Sequence, residues 1–191
     1  KGTKVPSLAE TLSVIPYGIL CNVHVYGNEF VTKIVVRTIR ELGQTGRCFI
    51  ACNTEEQLNA VKEEYSEMKT CLLPKGGEKR KEYIERAIRL KANFIQINFI
   101  QGIDGLSEDV EFAHKNGLKV NFFSAQDRET ITRLAEAKVD YILTDDVDLC
   151  IEVLKKFGTE PLKLEVDNNN GLGKEIISLH ILNTISNIMF N

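Results

Sequence analysis

Residues 94–143 read FIQINFIQGIDGLSEDVEFAHKNGLKVNFFSAQDRETITRLAEAKVDYIL, and their rhythm decides the fold. Three short apolar or β-branched runs, Phe94–Phe99, Leu118–Phe123 and Asp140–Leu143, have strand length and lack helical period. Between them, Ser107–Asn116 and Asp127–Ala137 carry helix formers at helical spacing. Ser107 and Asp127 stand where N-caps belong, and Gly117 stands where a C′ glycine belongs. A strand, a helix and a strand in that order pair the two strands in parallel through a right-handed crossover.

The same unit repeats outward in both directions. Upstream strands are expected at Ile19–Val25, Arg47–Ala51 and Thr70–Leu73. In the helix expected over Asn28–Leu42, residues Val31, Ile34, Val35, Thr38, Ile39 and Leu42 form one apolar stripe. Thr54 and Gln57 have capping-box spacing, with Leu58, Val61 and Tyr65 following. Tyr83, Ile84, Ala87, Ile88 and Leu90 serve the next helix, and Val147–Phe157 with Gly158 closes the series. Pro6 leads a short helix ahead of the first strand. Six strands alternate with six helices at a spacing of roughly 22 to 28 residues, compact enough for a minimal barrel or a plain doubly wound sheet. Periodicity leaves both open. No GxGxxG follows a strand and no Walker loop occurs, which removes the simplest nucleotide-binding readings.

A chain of 191 residues suits one domain. Its net charge of -3 argues against nucleic acid, which needs a clustered basic surface. The densest basic stretch, Lys75 to Lys91, interleaves its cations with Glu78, Glu82 and Glu85, the pattern of a solvated helix face. No apolar stretch approaches the roughly 20 residues of a membrane span. Cys21, Cys48, Cys52, Cys71 and Cys150 lack CxxC spacing and read as buried thiols, which fits a reducing compartment better than a disulfide framework. Bacterial cytoplasm and periplasm both accommodate such a chain.

Three passages, taken in order, resemble the glycerophosphodiester phosphodiesterase family. Pro6-Ser7-Leu8-Ala9-Glu10-Thr11-Leu12 followed by Asn22-Val23-His24-Val25 is similar to its P-T-L-x-E-x-L … L-N-[EH]-x-K passage. Val120-Asn121-Phe122-Phe123-Ser124-Ala125-Gln126-Asp127 resembles its V-x-x-W-T-V-N-D strand. Val139 to Leu149, VDYILTDDVDL, is similar to its V-D-G-I-I-T-D-x-P-D-L. The resemblance implies a partial (β/α)₈ TIM-type barrel over residues 1–160, with chemistry at the C-terminal strand ends; beyond it, Pro161, the polar stretch Asp167–Gly173 and the apolar spacing after it read as a linker and apolar C-terminal helix over 161–191. It also implies metal-dependent hydrolysis of glycerophosphodiesters to glycerol 3-phosphate and an alcohol, with Mg²⁺ or Ca²⁺ as cofactor in an active member.

Departures from the family pattern set the alternative. The family's early His-Arg-Gly and Glu-x-Asp do not occur ahead of these passages, nor does its later His-Asp occur, so no catalytic residue is assigned. His24 stands where a metal-binding Glu is usual, and Tyr26 where a phosphate-neutralising Lys is usual. A phenol donates a hydrogen bond but brings no charge. His24 is therefore the expected metal ligand, weighed against a histidine simply hydrogen-bonded inside a barrel layer. Tyr26, Lys75, Gln96 and Phe123 are the expected substrate contacts. Gln96 and Asn98 share one strand face, Asn53, Lys75 and Gln126 follow strands near the mouth, and Lys75-Gly76-Gly77 reads as a phosphate loop or a simple turn. Asp145 and Asp146 read as a cap for the helix from Val147, and His114 and His180 as surface or packing residues. The alternative to an enzyme is a non-catalytic barrel relative that binds a small phosphorylated ligand or serves a structural role.

A six-strand portion exposes two sheet edges and an apolar lumen. Ile177, Ile181, Ile185 and Ile188 recur at helical spacing near the C-terminus, so the tail over 174–190 is expected to cover part of that surface, with homodimerisation through the open edge as the other route. Deleting residues 167–191 is expected to lower the solubility or the melting temperature; a soluble monomer with an unchanged melting temperature refutes this.

Overall fold

Strand β2 (Cys48–Cys52) is buried at every position, and a parallel strand covered on both faces must lie between two apolar layers. In the computed structural model, which describes residues 2 and 4–159, it belongs to a six-stranded sheet. Its companions are β1 (Cys21–His24), β3 (Lys69–Leu72), β4 (Phe94–Asn98), β5 (Lys119–Phe123) and β6 (Tyr141–Leu143). All pairs are parallel, and the spatial order is β1-β2-β3-β4-β5-β6. Each strand is added beside its predecessor, so crossovers of one hand lay every helix on the same face. That order excludes the doubly wound alternative and gives a curled partial barrel.

The helices that follow the strands are α2 (Glu29–Glu41), α3 (Glu55–Glu64), α4 (Arg80–Arg89), α5 (Leu106–Lys115), α6 (Arg128–Glu136) and α7 (Val147–Lys155). A short α1 (Leu8–Val14) precedes β1. The larger apolar cluster lies under the helices and takes Cys48, Ile50, Cys52, Leu72, Ile95, Ile97, Val120, Phe122 and Ile142 from the strands. A second, smaller cluster of Phe49, Ala51, Cys71, Leu73 and Phe94, with Leu20 and Tyr141 against it, fills the concave face. Phe49 on β2 stacks on Phe94 of β4 at 4.6 Å, and Phe94 meets Tyr141 of β6 at 5.8 Å. In a flat sheet, strands two apart stand about 9.5 Å from each other, so these contacts require the sheet to curl. Among the described residues no helix is long and apolar enough to cross a membrane.

Caps fix most helix ends where the residue types place them. Ser7 with Glu10 and Thr54 with Gln57 form capping boxes, while Asp127 accepts from the Thr130 N–H and Asp146 from the Leu149 N–H. Gly43 and Gly117 adopt φ of 66° and 77° just past helix ends, a left-handed geometry that favours glycine. Two expectations need correction. Helix α5 is capped by Gly105 rather than Ser107, because Arg80 donates to the carbonyls of Gln101, Gly102 and Asp104 and fixes the preceding loop. Helix α2 buries Thr32, Val36 and Ile39, whereas Val31, Ile34 and Leu42 of the anticipated stripe are exposed. Thr32 can enter the core because its hydroxyl donates to the Asn28 carbonyl at 3.0 Å.

Two buried polar groups hold the layers in place. The Arg47 guanidinium donates to the carbonyls of Leu12, Ile15 and Pro16 at 2.7, 3.0 and 2.8 Å, pinning the C-terminal end of α1 beneath β2. Tyr83, fully buried on α4, enters the sheet between β3 and β4. Its hydroxyl donates to the Leu72 carbonyl and accepts from the Gln96 N–H at 2.7 Å. The direct ladder there is short, with Cys71 opposite Phe94 and Leu72 opposite Ile95. The phenol therefore continues the ladder where the strands part. Tyr83→Phe is expected to destabilise the fold by about 1–3 kcal/mol for each group left unpaired, read as a lower urea midpoint. An unchanged midpoint would show the two strands closing on each other directly.

Candidate functional site

The curl gathers the C-terminal strand ends around one space, which in barrels is the face that carries chemistry. His24 ends β1 on the concave side, and its Nε2 lies 3.3 Å from Asn53 Oδ1. Asn53 is itself held: its side-chain amide donates to the Val25 carbonyl at 3.0 Å, and its backbone N–H donates to Gln57 Oε1 at 2.7 Å. The same glutamine that caps α3 thus orients the histidine's partner. Tyr26 stacks on the His24 ring at 4.5 Å and is otherwise exposed. Burial lowers the basicity of His24, and the Asn53 contact offsets this in part.

Across the lumen, Gln96 Oε1 accepts from the Asn121 side-chain amide at 3.1 Å. Asn98 caps the turn Phe99–Gln101 by accepting from the Gln101 N–H at 3.2 Å, and its register partner on β5 is the half-buried Phe123. Gln96 and Phe123 therefore line the same wall. Lys75 does not present a free cation, because its ammonium lies 3.5 Å from Glu55 at the start of α3. Its loop is closed by an internal carboxylate: Glu78 accepts from the Lys75 N–H at 2.9 Å and is clamped by Arg86 at 2.7 and 2.8 Å. This favours the turn reading of Lys75-Gly76-Gly77. Gln126 ties the last two strand ends together, donating to Asp145 at 2.9 Å and accepting from the Asp145 N–H at 3.1 Å.

Two site features escape a reading by residue type. The side-chain oxygens of Asn22 and Asn121 are buried and have no hydrogen-bond partner. Asn121 is only 1% exposed, so its orphaned acceptor calls for a donor from water or from a ligand. The signal was strand alternation: Asn22 shares the inward face with His24, as Asn121 does with Phe123. His114 has a long-range partner that its sequence neighbours do not show. Its Nε2 lies 2.7 Å from Asp140, which is buried and accepts from Lys119 and the Val120 N–H at 3.1 and 2.8 Å. That cluster sits at the N-terminal end of the sheet, the face associated with stability. His180 and the tail lie outside the described residues.

Among the described residues, no group of three or more His, Cys, Asp or Glu side chains could hold a metal ion. His24 has an amide and a phenol for neighbours, and Mg²⁺ or Ca²⁺ prefers several oxygen ligands that include carboxylates. The described residues do not fit such an ion. For His24, an NMR titration is expected to give a midpoint below 6.5, with Asn53→Ala lowering it further because a contact that favours the imidazolium is gone. Since folding favours the neutral ring, its contribution to stability is present above pH 6.5 and is lost as pH falls. A midpoint at or above 6.5 overturns this placement.

The pattern of the Glycerophosphoryl diester phosphodiesterase family matches residues 18–149. No curated protein matches the chain. Among solved structures, a Silicibacter pomeroyi protein named as a glycerophosphoryl diester phosphodiesterase superposes with a TM-score of 0.61 at 18% identity, over 73% of this chain and 50% of that one. A glycerophosphodiester phosphodiesterase from Thermotoga maritima gives 0.59 at 15% identity, over 78% of this chain and 64% of that one. An N-acetylmannosamine-6-phosphate 2-epimerase from Clostridium perfringens gives 0.52 at 11% identity, over 74% of this chain and 67% of that one. Likeness at such identities speaks for the barrel fold alone, and the chain spans half to two thirds of the length of the two phosphodiesterases. The family match covers most of the sequence and the fold agrees with it, so the chain belongs to the glycerophosphoryl diester phosphodiesterase family.

Proposed function

We propose that this chain holds the glycerol portion of a glycerophosphodiester, as the ligand-binding part of a phosphodiesterase-like site. The observation that carries the reading is the pair of orphaned amide oxygens, Asn22 and Asn121, in a lumen lined by amides, an imidazole and Phe123. Glycerol hydroxyls supply the donors those oxygens lack, and a buried acceptor left unpaired costs about 1–3 kcal/mol. Tyr26 adds a phenolic donor at the rim, and Gln96 positions Asn121 from the next strand.

The family reaction is metal-dependent hydrolysis to glycerol 3-phosphate and an alcohol. It needs charge neutralised on the non-bridging oxygens, a nucleophile activated and the leaving alkoxide protonated. His24 is a titratable ring whose Nε2–H donates to Asn53 Oδ1, and its lowered basicity keeps it neutral near pH 7 with Nδ1 as the nitrogen able to accept a proton. The described residues lack the carboxylate set that would hold the ion for this chemistry. This favours binding without turnover by the chain as it stands.

The test pairs two measurements on the purified chain. Calorimetric titration with sn-glycero-3-phosphocholine is expected to show binding that weakens by about 1 kcal/mol or more in Asn121→Leu. Hydrolysis of the same compound, with Mg²⁺ or Ca²⁺ and then with chelator, is expected to stay at background. Metal-dependent turnover lost in His24→Ala would instead make this chain a working phosphodiesterase. Absence of binding in a folded sample would leave only a structural role.

A further inference from the structure

Cys21 and Cys48 face each other across the β1–β2 ladder. They are paired residues in the parallel register, so both side chains leave the same face of the sheet. Strand neighbours lie about 4.8 Å apart, within the roughly 4.4–6.8 Å that a disulfide spans between Cα atoms. The two thiols are neighbours close enough to interact, and the Cys21 S–H also meets the Ile19 carbonyl at 3.7 Å. All five cysteines are free thiols, but the other three differ in setting. Cys52 and Cys150 share the helix-side core with the pair but have no cysteine opposite them in the ladder, and Cys71 lines the concave cluster.

We propose that Cys21 and Cys48 form an oxidation site, a thiol pair that closes to a disulfide between β1 and β2. Two neighbours favour the reactive form of Cys21. The neighbouring Cys48 thiol and then the Arg47 guanidinium favour a thiolate there and hold the Cys21 thiol below the ordinary cysteine range, against the effect of burial. Cys48 itself moves up, through Cys21 first and then through burial. Burial raises the others, to about 12 for Cys52 and about 11 for Cys150, and well above the ordinary range for Cys71.

A peroxide is the oxidant the pair requires. The Cys21 thiolate attacks one peroxide oxygen, an S–O bond forms, the O–O bond breaks, and hydroxide leaves. The Cys48 sulfur then attacks the resulting sulfenic sulfur, an S–S bond forms, and water leaves with the Cys48 proton. Two thiols and one hydrogen peroxide give one disulfide and two waters, with two electrons passing from sulfur to oxygen. The product would tie the strand that carries His24 covalently to its neighbour.

The test treats the full chain with a few equivalents of hydrogen peroxide and reads the intact mass and a non-reducing peptide map. Cys52→Ser is used alongside, so that the tryptic peptide from Cys48 to Lys62 holds a single sulfur. The expected result is a loss of two hydrogens and a link between the Cys21 peptide and the Cys48 peptide, reversed by reductant. In Cys48→Ser, oxidation should stop at a sulfenic acid on Cys21 that dimedone traps. A link between any other cysteines, or a first adduct on Cys52, Cys71 or Cys150, overturns the proposal. So does a folded chain whose Cys21 stays unoxidised while a free thiol in the same solution is consumed.

Discussion

The contact on which the rest depends is the aromatic layer inside the curl, where Phe49, Phe94 and Tyr141 meet across alternate strands. A parallel strand leaves neither face to water, and the helices cover only one. The concave face must bury itself, and three rings drawn from β2, β4 and β6 do this by bending the sheet. Aromatic pairs of this kind contribute about 0.5–1.5 kcal/mol beyond their buried area, so the direct stabilisation is modest. The geometric consequence is larger. Had the sheet stayed flat, His24 on β1 and the Gln96–Asn121 pair on β4 and β5 would point the same way but stand about 14 Å or more apart. Curled, they border one space.

Sequence patterning told the order of elements well and their rotation less well. The strand runs Phe94–Phe99, Leu118–Phe123 and Asp140–Leu143 lie within two residues of the observed bounds, because period-two burial leaves little freedom in such short apolar runs. Choosing a barrel over a doubly wound sheet needed the strand order itself. Helix α2 shows why faces are harder to read. Ile34 is apolar yet exposed, while Thr32 is polar yet buried with its hydroxyl bonded to a backbone carbonyl. Residue type alone ranks these two the wrong way round. Long-range polar partners were equally hidden: nothing local to Tyr83 says that its hydroxyl will stand between Leu72 and Gln96, and nothing local to His114 points to Asp140.

In the candidate site, residues placed by alternation were legible and those acting through charge were not. His24 and Tyr26 do share the inward face, and their rings stack. Lys75, chosen as a cation near the mouth, turns out to be engaged by Glu55, and the loop around it is closed by Glu78. The interior that results is polar with little charge, rich in amides and supplied with acceptors in want of donors. Such a surface offers hydrogen-bonding partners but few of the paired cations that a charged phosphate group draws on.

Strand β1 concentrates these considerations. Among the described residues it pairs with β2 alone, so its position rests on a single ladder and on what lies beneath it. Arg47 supplies that support by gathering three carbonyls from the end of α1 and the turn beyond, with the Tyr17 ring 4.7 Å from its guanidinium. The next residue in the chain, Cys48, reaches across to Cys21. Three positions along β1 from Cys21, His24 meets Asn53 from the loop that follows β2. The anchor, the thiol pair and the site histidine therefore lie in series along one two-strand ribbon.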